Sequence, residues 1–169
     1  GAIRRRIRLA RGIMEIADLL TPDAVVSHLK AANKKQVLQD LAHKAAALTG
    51  IAERRIFETL SEREKLGSTG MGQGIAIPHG RISGIEKMTG LFAQLDHPVD
   101  FDAMDDQPVD LVFLLLAPEG AGADHLKALA RVSRVLRNQA VCEKLRAAAN
   151  SAALYALLTE PTSANSQAA

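Results

Sequence analysis

The stretch "VDLVFLLLA", residues 109 to 117, contains the apolar run Leu111 to Leu116. A run this short cannot cross a bilayer, which takes roughly 20 apolar residues. Strands that are apolar at every position, rather than at alternate positions, are covered on both faces. The stretch therefore predicts a central β-strand that is buried within a sheet.

Short apolar runs alternate with segments of helical periodicity around this strand, which predicts an α/β fold rather than a helical bundle. Strands are predicted at residues 25–29, 88–95 and 109–117, and helices at residues 34–49, 53–65, 124–137, 139–149 and 151–159. Asn33 and Asp124 suit N-caps, and Gly50 suits a helix stop. The apolar face of the helix at 124–137 is expected to include Leu126. The acidic, proline-containing segment 96–110 is expected to be a surface connection.

Composition narrows the function classes. The 169 residues and the hydrophobic content of 47% suit one compact domain. The net charge is +2, but residues 1–13 carry five of the 21 basic residues, which leaves 16 against 19 acidic residues, a net charge of −3. With an aromatic content of only 3%, the folded part lacks the basic face and the stacking rings that nucleic-acid binding needs.

The two ends of the chain are predicted to be extensions outside the folded domain. The arginine-rich segment 1–13 is either an interaction arm or a disordered extension, and disorder is the favoured interpretation. The uncharged segment 161–169 is expected to be flexible. The single Cys142 cannot form an internal disulfide, which agrees with a reducing compartment. We expect a cytoplasmic protein without membrane insertion.

The stretch "GSTGMGQGIAIPHG", residues 67 to 80, is the candidate site. Its glycine spacing matches neither the dinucleotide fingerprint nor a P-loop. Pro78 fixes its own φ angle and biases Ile77 toward an extended conformation, so the loop feeds a short extended segment. That segment presents His79 beside Gly80, whose missing side chain leaves space for a bulky group at the imidazole.

A histidine held in this way can attack phosphorus. A neutral imidazole is nucleophilic when one ring nitrogen is free and the other donates to a backbone carbonyl. Ser68, Thr69 and backbone N–H groups of the loop could bind the phosphoryl oxygens, and Arg63 or Arg81 could balance the charge. A structural or merely exposed His79 is the alternative at this point.

A second histidine supports the phosphoryl hypothesis. His125 follows Asp124 in the first turn of a predicted helix, where the helix dipole favours anions and disfavours an imidazolium. The alternative is an ordinary solvent-facing residue. Of the other histidines, His43 is expected to be solvated, His97 lies in the acidic connection and His28 lies in a strand; metal-ligand spacing is absent.

Two blocks of sequence carry a family resemblance, "REKLGSTGMGQGIAIPHG" (63–80) and "DHLKALARVSRVLRNQAVCEKLRAA" (124–148). They resemble the fructose/mannitol-type enzyme IIA domains of the bacterial phosphoenolpyruvate-dependent phosphotransferase system, within them the nitrogen-regulatory subtype. The resemblance spans residues 14–160. It implies a single three-layer α/β domain whose mixed sheet of about five strands is flanked by helices.

The resemblance also implies roles for individual residues. His79 corresponds to the histidine that accepts a phosphoryl group through Nε2, and His125 to a second histidine that assists by hydrogen bonding. Arg63 corresponds to the arginine that neutralises the phosphate. The implied phosphate-binding residues are Ser68, Thr69, Gly70 and Gly80, and the glycines at 67, 70, 72 and 74 are interpreted as a backbone that curls around the phosphoryl group. No metal or cofactor is implied.

The expected partners follow from the same resemblance. The phosphoryl donor is expected to be a small phosphohistidine carrier, HPr or its nitrogen-branch relative NPr. As a free-standing enzyme IIA, the protein is expected to regulate nitrogen- or potassium-related targets, kinases or transporters, according to its phosphorylation state. Two alternatives remain: a relay for sugar uptake through a fructose/mannitol-type permease, and a purely structural interaction module with an inactive site.

Overall fold

The computed structural model describes residues 14–160, and the predictions for segments 1–13 and 161–169 lie outside the described residues. The described chain forms one mixed sheet between two layers of helices. The strands are β1 (Val25–Leu29), β2 (Gly70–Gly72), β3 (Ile75–Ala76), β4 (His79–Ile82), β5 (Thr89–Val99) and β6 (Val109–Pro118). The helices are α1 (Ile16–Leu19), α2 (Lys34–Thr49), α3 (Glu53–Leu66), α4 (Ala123–Leu136), α5 (Gln139–Ala147) and α6 (Ser151–Thr159), with a 3₁₀ turn at Pro22–Ala24. Within residues 14–160, no helix has both the length and the apolar character that crossing a membrane requires.

Strand β6 is central, as its apolar sequence predicts. The strand order is β1-β5-β6-β3-β2, and β4 also pairs with β6. Strands β3 and β4 both run parallel to β6, β3 beside Leu111 and Val112 and β4 beside residues 115–118. They form one strand line that is interrupted between them, where the Pro78 carbonyl accepts a hydrogen bond from Leu115 N at 2.9 Å. The six strands therefore occupy five positions in the sheet, in agreement with the sheet of about five strands that the resemblance implies.

The alternation of side chains along β6 divides the core in two. Residues 112, 114 and 116 pack with α2 and α3 on one face of the sheet, whereas residues 111, 113 and 115 pack with α1, α4, α5 and α6 on the other. Successive side chains of a strand point to opposite faces, so both faces of β6 are covered. The three-layer arrangement is confirmed.

Most helix boundaries agree with the sequence-based prediction. Asn33 caps α2 by accepting a hydrogen bond from Gln36 N at 2.9 Å, and Gly50 ends it at a φ of 78°. Helix α5 ends two residues earlier than predicted. There the buried Gln94 side chain donates to the carbonyls of Leu145 and Ala148, which satisfies acceptors at the helix end.

The start of α4 differs from the prediction. The N-cap residue is Gly122, at a φ of 55°, and Asp124 lies inside the first turn without capping the helix, so the Asp124 assignment was wrong. Leu126 is 66% exposed, whereas its neighbour His125 is buried. The apolar face of α4 therefore excludes Leu126; its buried residues are His125, Ala128, Val132 and Leu136.

The segment 96–110 is only partly a surface connection. Strand β5 continues through Val99, and Phe101 is fully buried in the core beneath α2. Phe101 is a core residue although its sequence neighbours are acidic. The prediction of a surface connection was therefore wrong for this part of the segment.

Candidate active site

Strand β4 places the candidate site on the α4 side of the sheet. His79 opens the strand and lies beside Leu115, a residue of the core that faces α4. Because side chains alternate along a strand, His79 and Arg81 share this face, and Gly80 faces α3. The predicted extended segment at His79 is confirmed.

The His79 ring has one occupied and one free nitrogen. Nδ1 lies 2.8 Å from the carbonyl oxygen of Ile77. A carbonyl only accepts, so Nδ1 carries the proton and Nε2 keeps its lone pair. Burial lowers the pKa of His79; the bond to Ile77 raises it, while the charge of Arg63 lowers it and that of Glu64 raises it. The neutral, nucleophilic form therefore prevails near pH 7.

His125 stands next to His79 on the adjoining helix. The two ring centroids are 5.7 Å apart with an interplanar angle of 69°. Arg81 Nε donates to His125 Nδ1 at 3.2 Å, so the proton of the neutral ring is on Nε2. Nε2 is buried and has no hydrogen-bond partner among the described residues. His125 is only 6% exposed, which excludes the solvent-facing alternative.

The environment keeps His125 neutral. Burial is the largest cause that lowers its pKa, and the neighbouring His79 and Arg81 lower it further. The backbone N–H groups of Asp124 and His125 donate to the carbonyls of residues 121 and 122 at 3.1 and 3.2 Å, so they are not free for an anion. The ring Nε2–H of His125, which has no partner among the described residues, is a group that this helix end can offer to an anion.

Two arginines approach the histidines from different layers. Arg63, in the last turn of α3, donates to the carbonyl of Gly67 at 2.8 Å, and its charge acts on the His79 ring. Arg81 contacts His125 directly. From the sequence alone, Arg81 was only an alternative to Arg63 as the residue that balances the phosphoryl charge. Its spacing of two from His79 in an extended segment was the signal that both would share one face.

The hydroxyl groups of Ser68 and Thr69 have protein partners. Ser68 Oγ donates to the carbonyl of Phe101, and Thr69 Oγ1 donates to the carboxylate of Glu64. To reach a phosphoryl group, either hydroxyl must share or leave its present acceptor. Phosphate binding by Ser68 and Thr69 stays a prediction.

Close packing explains two glycines of the site loop. A Cβ at Gly70 would lie 2.9 Å from Cβ of Ala103, and a Cβ at Gly80 would lie 2.8 Å from Cγ2 of Thr59 on α3. Real Cβ atoms do not approach other atoms so closely. These positions therefore require glycine whether or not a phosphoryl group binds there, and their phosphate contacts also stay predictions.

The turn at Gly72 and Gly74 lies away from the histidine. Ile75 pairs with Leu111 and His79 with Leu115, which separates them by four strand residues, about 13 Å at roughly 3.3 Å per residue. The φ angles of 97° and 83° at the two glycines show that a tight turn requires them. The interpretation that these glycines curl around a phosphoryl group was wrong.

The model of one protein family matches most of the chain: the family described as "Phosphoenolpyruvate-dependent sugar phosphotransferase system, EIIA 2" matches residues 18–160. The chain belongs to this family. The resemblance seen in the two sequence blocks is thereby confirmed, and membership of EIIA 2 implies a transferase role in phosphoryl transfer.

Relatives of this EIIA protein carry regulatory names. It is 60% identical over 148 residues to the nitrogen regulatory protein of Bradyrhizobium diazoefficiens, covering 88% of this chain and 97% of that one. It is 42% identical over 149 residues to the nitrogen regulatory protein of Pseudomonas aeruginosa, covering 88% and 97%. The crystal structure of nitrogen regulatory protein IIA-Ntr from Neisseria meningitidis superposes with a TM-score of 0.81 at 36% identity, covering 85% of this chain and 99% of that one.

Proposed function

We propose that Nε2 of His79 accepts a phosphoryl group from a phosphohistidine on a small carrier protein of the NPr or HPr type. The observation that carries the proposal is the hydrogen bond from His79 Nδ1 to the carbonyl of Ile77, which leaves Nε2 free. The unpartnered Nε2–H of His125, on a ring 5.7 Å from that of His79, supplies a donor for an incoming oxygen.

The transfer is a displacement at phosphorus. The lone pair of His79 Nε2 forms the new N–P bond, the N–P bond of the donor histidine breaks, and its electron pair returns to the donor ring. The proton on His79 Nδ1 stays in place and remains bonded to Ile77. Because one nitrogen replaces another, the step is close to balanced and reversible.

Preorganised charge then stabilises the transferred group. In phosphoryl transfer the protein contributes chiefly positioning and electrostatic stabilisation of the phosphoryl oxygens. His125 Nε2–H donates to one phosphoryl oxygen, and the guanidinium groups of Arg63 and Arg81 offset the negative charge. These roles do not require the protein to bind a metal ion or a nucleotide.

The proposed output is regulation. In the phosphorylated and unphosphorylated states, the protein binds different cytoplasmic targets, kinases or transporters related to nitrogen and potassium. The names of the relatives in Bradyrhizobium and Pseudomonas support this role. The sugar system in the family's description favours a second candidate, a relay to a fructose/mannitol-type permease. Transfer of phosphate from this protein to a permease IIB domain, with sugar uptake that depends on it, would select the relay.

Radiolabelling tests the acceptor. Phosphoenolpyruvate, enzyme I and the carrier protein should place acid-labile phosphate on the wild type and none on His79→Ala. His43→Ala is the matched control, since His43 is an exposed histidine paired with Glu53 on the opposite side of the sheet from His125; it should be labelled like the wild type. Labelling of His79→Ala would refute the assignment of His79 as the phosphoryl acceptor. An unlabelled wild type would instead support the alternative of an interaction module with an inactive site.

A further inference from the structure

A buried carboxylate lies behind the site loop. The Glu64 side chain, in the last turn of α3, is only 6% exposed. It accepts hydrogen bonds from the backbone N of Thr69 at 3.2 Å and from the Thr69 hydroxyl, and it forms an ion pair with Lys34 Nζ at 2.8 Å. Burying two charges costs several kcal/mol per ion before their attraction is counted, so such a pair is weak evidence of a stabilising role.

The position of Lys34 is also unfavourable for its helix. Lys34 is the first residue of α2, where the positive end of the helix dipole opposes a cation. Its Nζ is 3.4 Å from the carbonyl oxygen of Phe101 and 5.1 Å from the centroid of the Phe101 ring. The carbonyl of Phe101 also accepts from Ser68, so Lys34 contacts both the carboxylate that holds Thr69 and the carbonyl that holds Ser68.

A series of hydrogen bonds connects this ion pair to the reacting ring. Glu64 holds Thr69 by its backbone N–H and its hydroxyl. The Thr69 carbonyl accepts from Ile77 N at 3.1 Å, and the Ile77 carbonyl accepts from His79 Nδ1 at 2.8 Å. The acceptor that decides the His79 tautomer is therefore held by a segment that Glu64 holds.

We propose that Lys34 and Glu64 form a positioning pair for the phosphoryl acceptor: by fixing Thr69 they fix the Ile77 carbonyl, which keeps the proton on His79 Nδ1 and leaves Nε2 free. The role of the pair in phosphoryl transfer rests on the proposed function, whereas its effect on the tautomer of the His79 ring does not. The carboxylate also favours the positive charge that the His79 ring gains when Nε2 bonds to phosphorus. In agreement, Glu64 raises the pKa of His79.

The first test uses the unphosphorylated protein. Nitrogen-15 NMR of the His79 ring shows which nitrogen carries the proton and at what pH the ring titrates. Glu64→Gln keeps the side-chain size but removes the charge and one acceptor oxygen. We expect a measurable fraction of the Nε2–H tautomer and a lower His79 pKa. Glu62→Gln, an exposed position on the same helix, is the control and should match the wild type.

The second test separates positioning from stability. Removing one member of a buried ion pair leaves the other charge uncompensated, whereas the double variant Lys34→Met/Glu64→Gln removes both charges and keeps similar side-chain sizes, so we expect it to fold. We expect its kcat for phosphoryl transfer to fall about 10- to 100-fold, the size of effect that misplacing a reacting group produces, with an unchanged KM for the carrier.

A structural role alone predicts a different result. If the double variant had the wild-type His79 tautomer, pKa and kcat, the positioning role would be overturned. The NMR result stands even if no carrier phosphorylates the wild type, so failure of the proposed function would be distinguishable from failure of this inference.

Discussion

Arg81 Nε lies 3.2 Å from Nδ1 of His125, and this contact determines which nitrogen of His125 donates. A guanidinium only donates, so Nδ1 of His125 accepts and the proton is on Nε2. Nε2 is the buried nitrogen that has no partner in the described chain. By donating to Nδ1, Arg81 on β4 keeps the proton of His125 on Nε2, where it can be donated to a phosphoryl oxygen.

Arg81→Met should slow phosphoryl transfer by about tenfold or more, since a hydrogen bond to a charged group is worth about 1.5–3 kcal/mol. The methionine keeps much of the side-chain length but cannot hold the His125 tautomer. The measurement is the single-turnover rate from the phosphorylated carrier. Arg55→Met, which removes an exposed arginine that contacts Ser83, is the control and should keep the wild-type rate. Equal rates for Arg81→Met and the control would remove Arg81 from the mechanism.

Gly80→Ala should destabilise the fold by about 1–3 kcal/mol, the usual effect of overpacking. The new Cβ would lie 2.8 Å from Cγ2 of Thr59 and push α3 away from β4. Adding Thr59→Ser should restore much of the loss, because serine lacks that methyl group and can keep the hydroxyl bond to the Arg55 carbonyl. Urea unfolding of the single and double variants measures the effect. Additive losses in the double variant would show that the Thr59 contact is not the cause.

The rate of phosphoryl acceptance should depend on pH through His79. Its pKa is lowered from 6.5, chiefly by burial, so Nε2 keeps its lone pair through neutral pH and loses it only in more acidic solution. The single-turnover rate should be flat from pH 8 to about pH 6.5 and then fall as the ring is protonated. A rate that falls between pH 8 and 6.5 would contradict a lowered pKa at His79.

Stability should depend on pH through His28. Its ring nitrogens lie 2.8 Å from Asp96 Oδ1 and 3.0 Å from the carbonyl of Ala149, two acceptors that only a protonated ring satisfies together. The bond to Asp96 and then that to Ala149 raise the pKa of His28 above 6.5, whereas partial desolvation and then the charge of Lys30 lower it by less. The folded protein therefore holds this proton more tightly than the unfolded chain, so the stabilisation is complete below pH 6.5 and is lost as pH rises through the folded pKa.

A comparison with His28→Gln measures this contribution. The difference in unfolding free energy between wild type and variant should shrink as pH rises from 6.5 through the raised pKa of His28. A difference that stays constant over this range would show that the pKa of His28 is the same in the folded and unfolded states.

The sequence predicted the elements whose signals are local. The apolar run of β6 indicated a doubly covered strand, and Pro78 before His79 indicated an extended segment that presents the imidazole. Both are confirmed. The N-cap at Asn33 is also confirmed, because capping depends on residues within one turn of each other.

Long-range contacts were beyond this kind of prediction. Phe101 lies among acidic residues, and its burial depends on α2 packing above it. Glu64 resembles an ordinary charged helix residue until the loop after α3 folds back upon it. Asp124 looked like an N-cap because aspartate is a preferred capping residue, but Gly122, at a φ of 55°, takes the N-cap position two residues earlier.

The most direct test of the account is the position of the phosphorus on His79. In the protein labelled with nitrogen-15 and phosphorylated through its carrier, the coupling between phosphorus and nitrogen identifies the bonded ring atom. We expect coupling to Nε2 of His79, with the proton still on Nδ1. Phosphorus on Nδ1 of His79, or on His125, would contradict it.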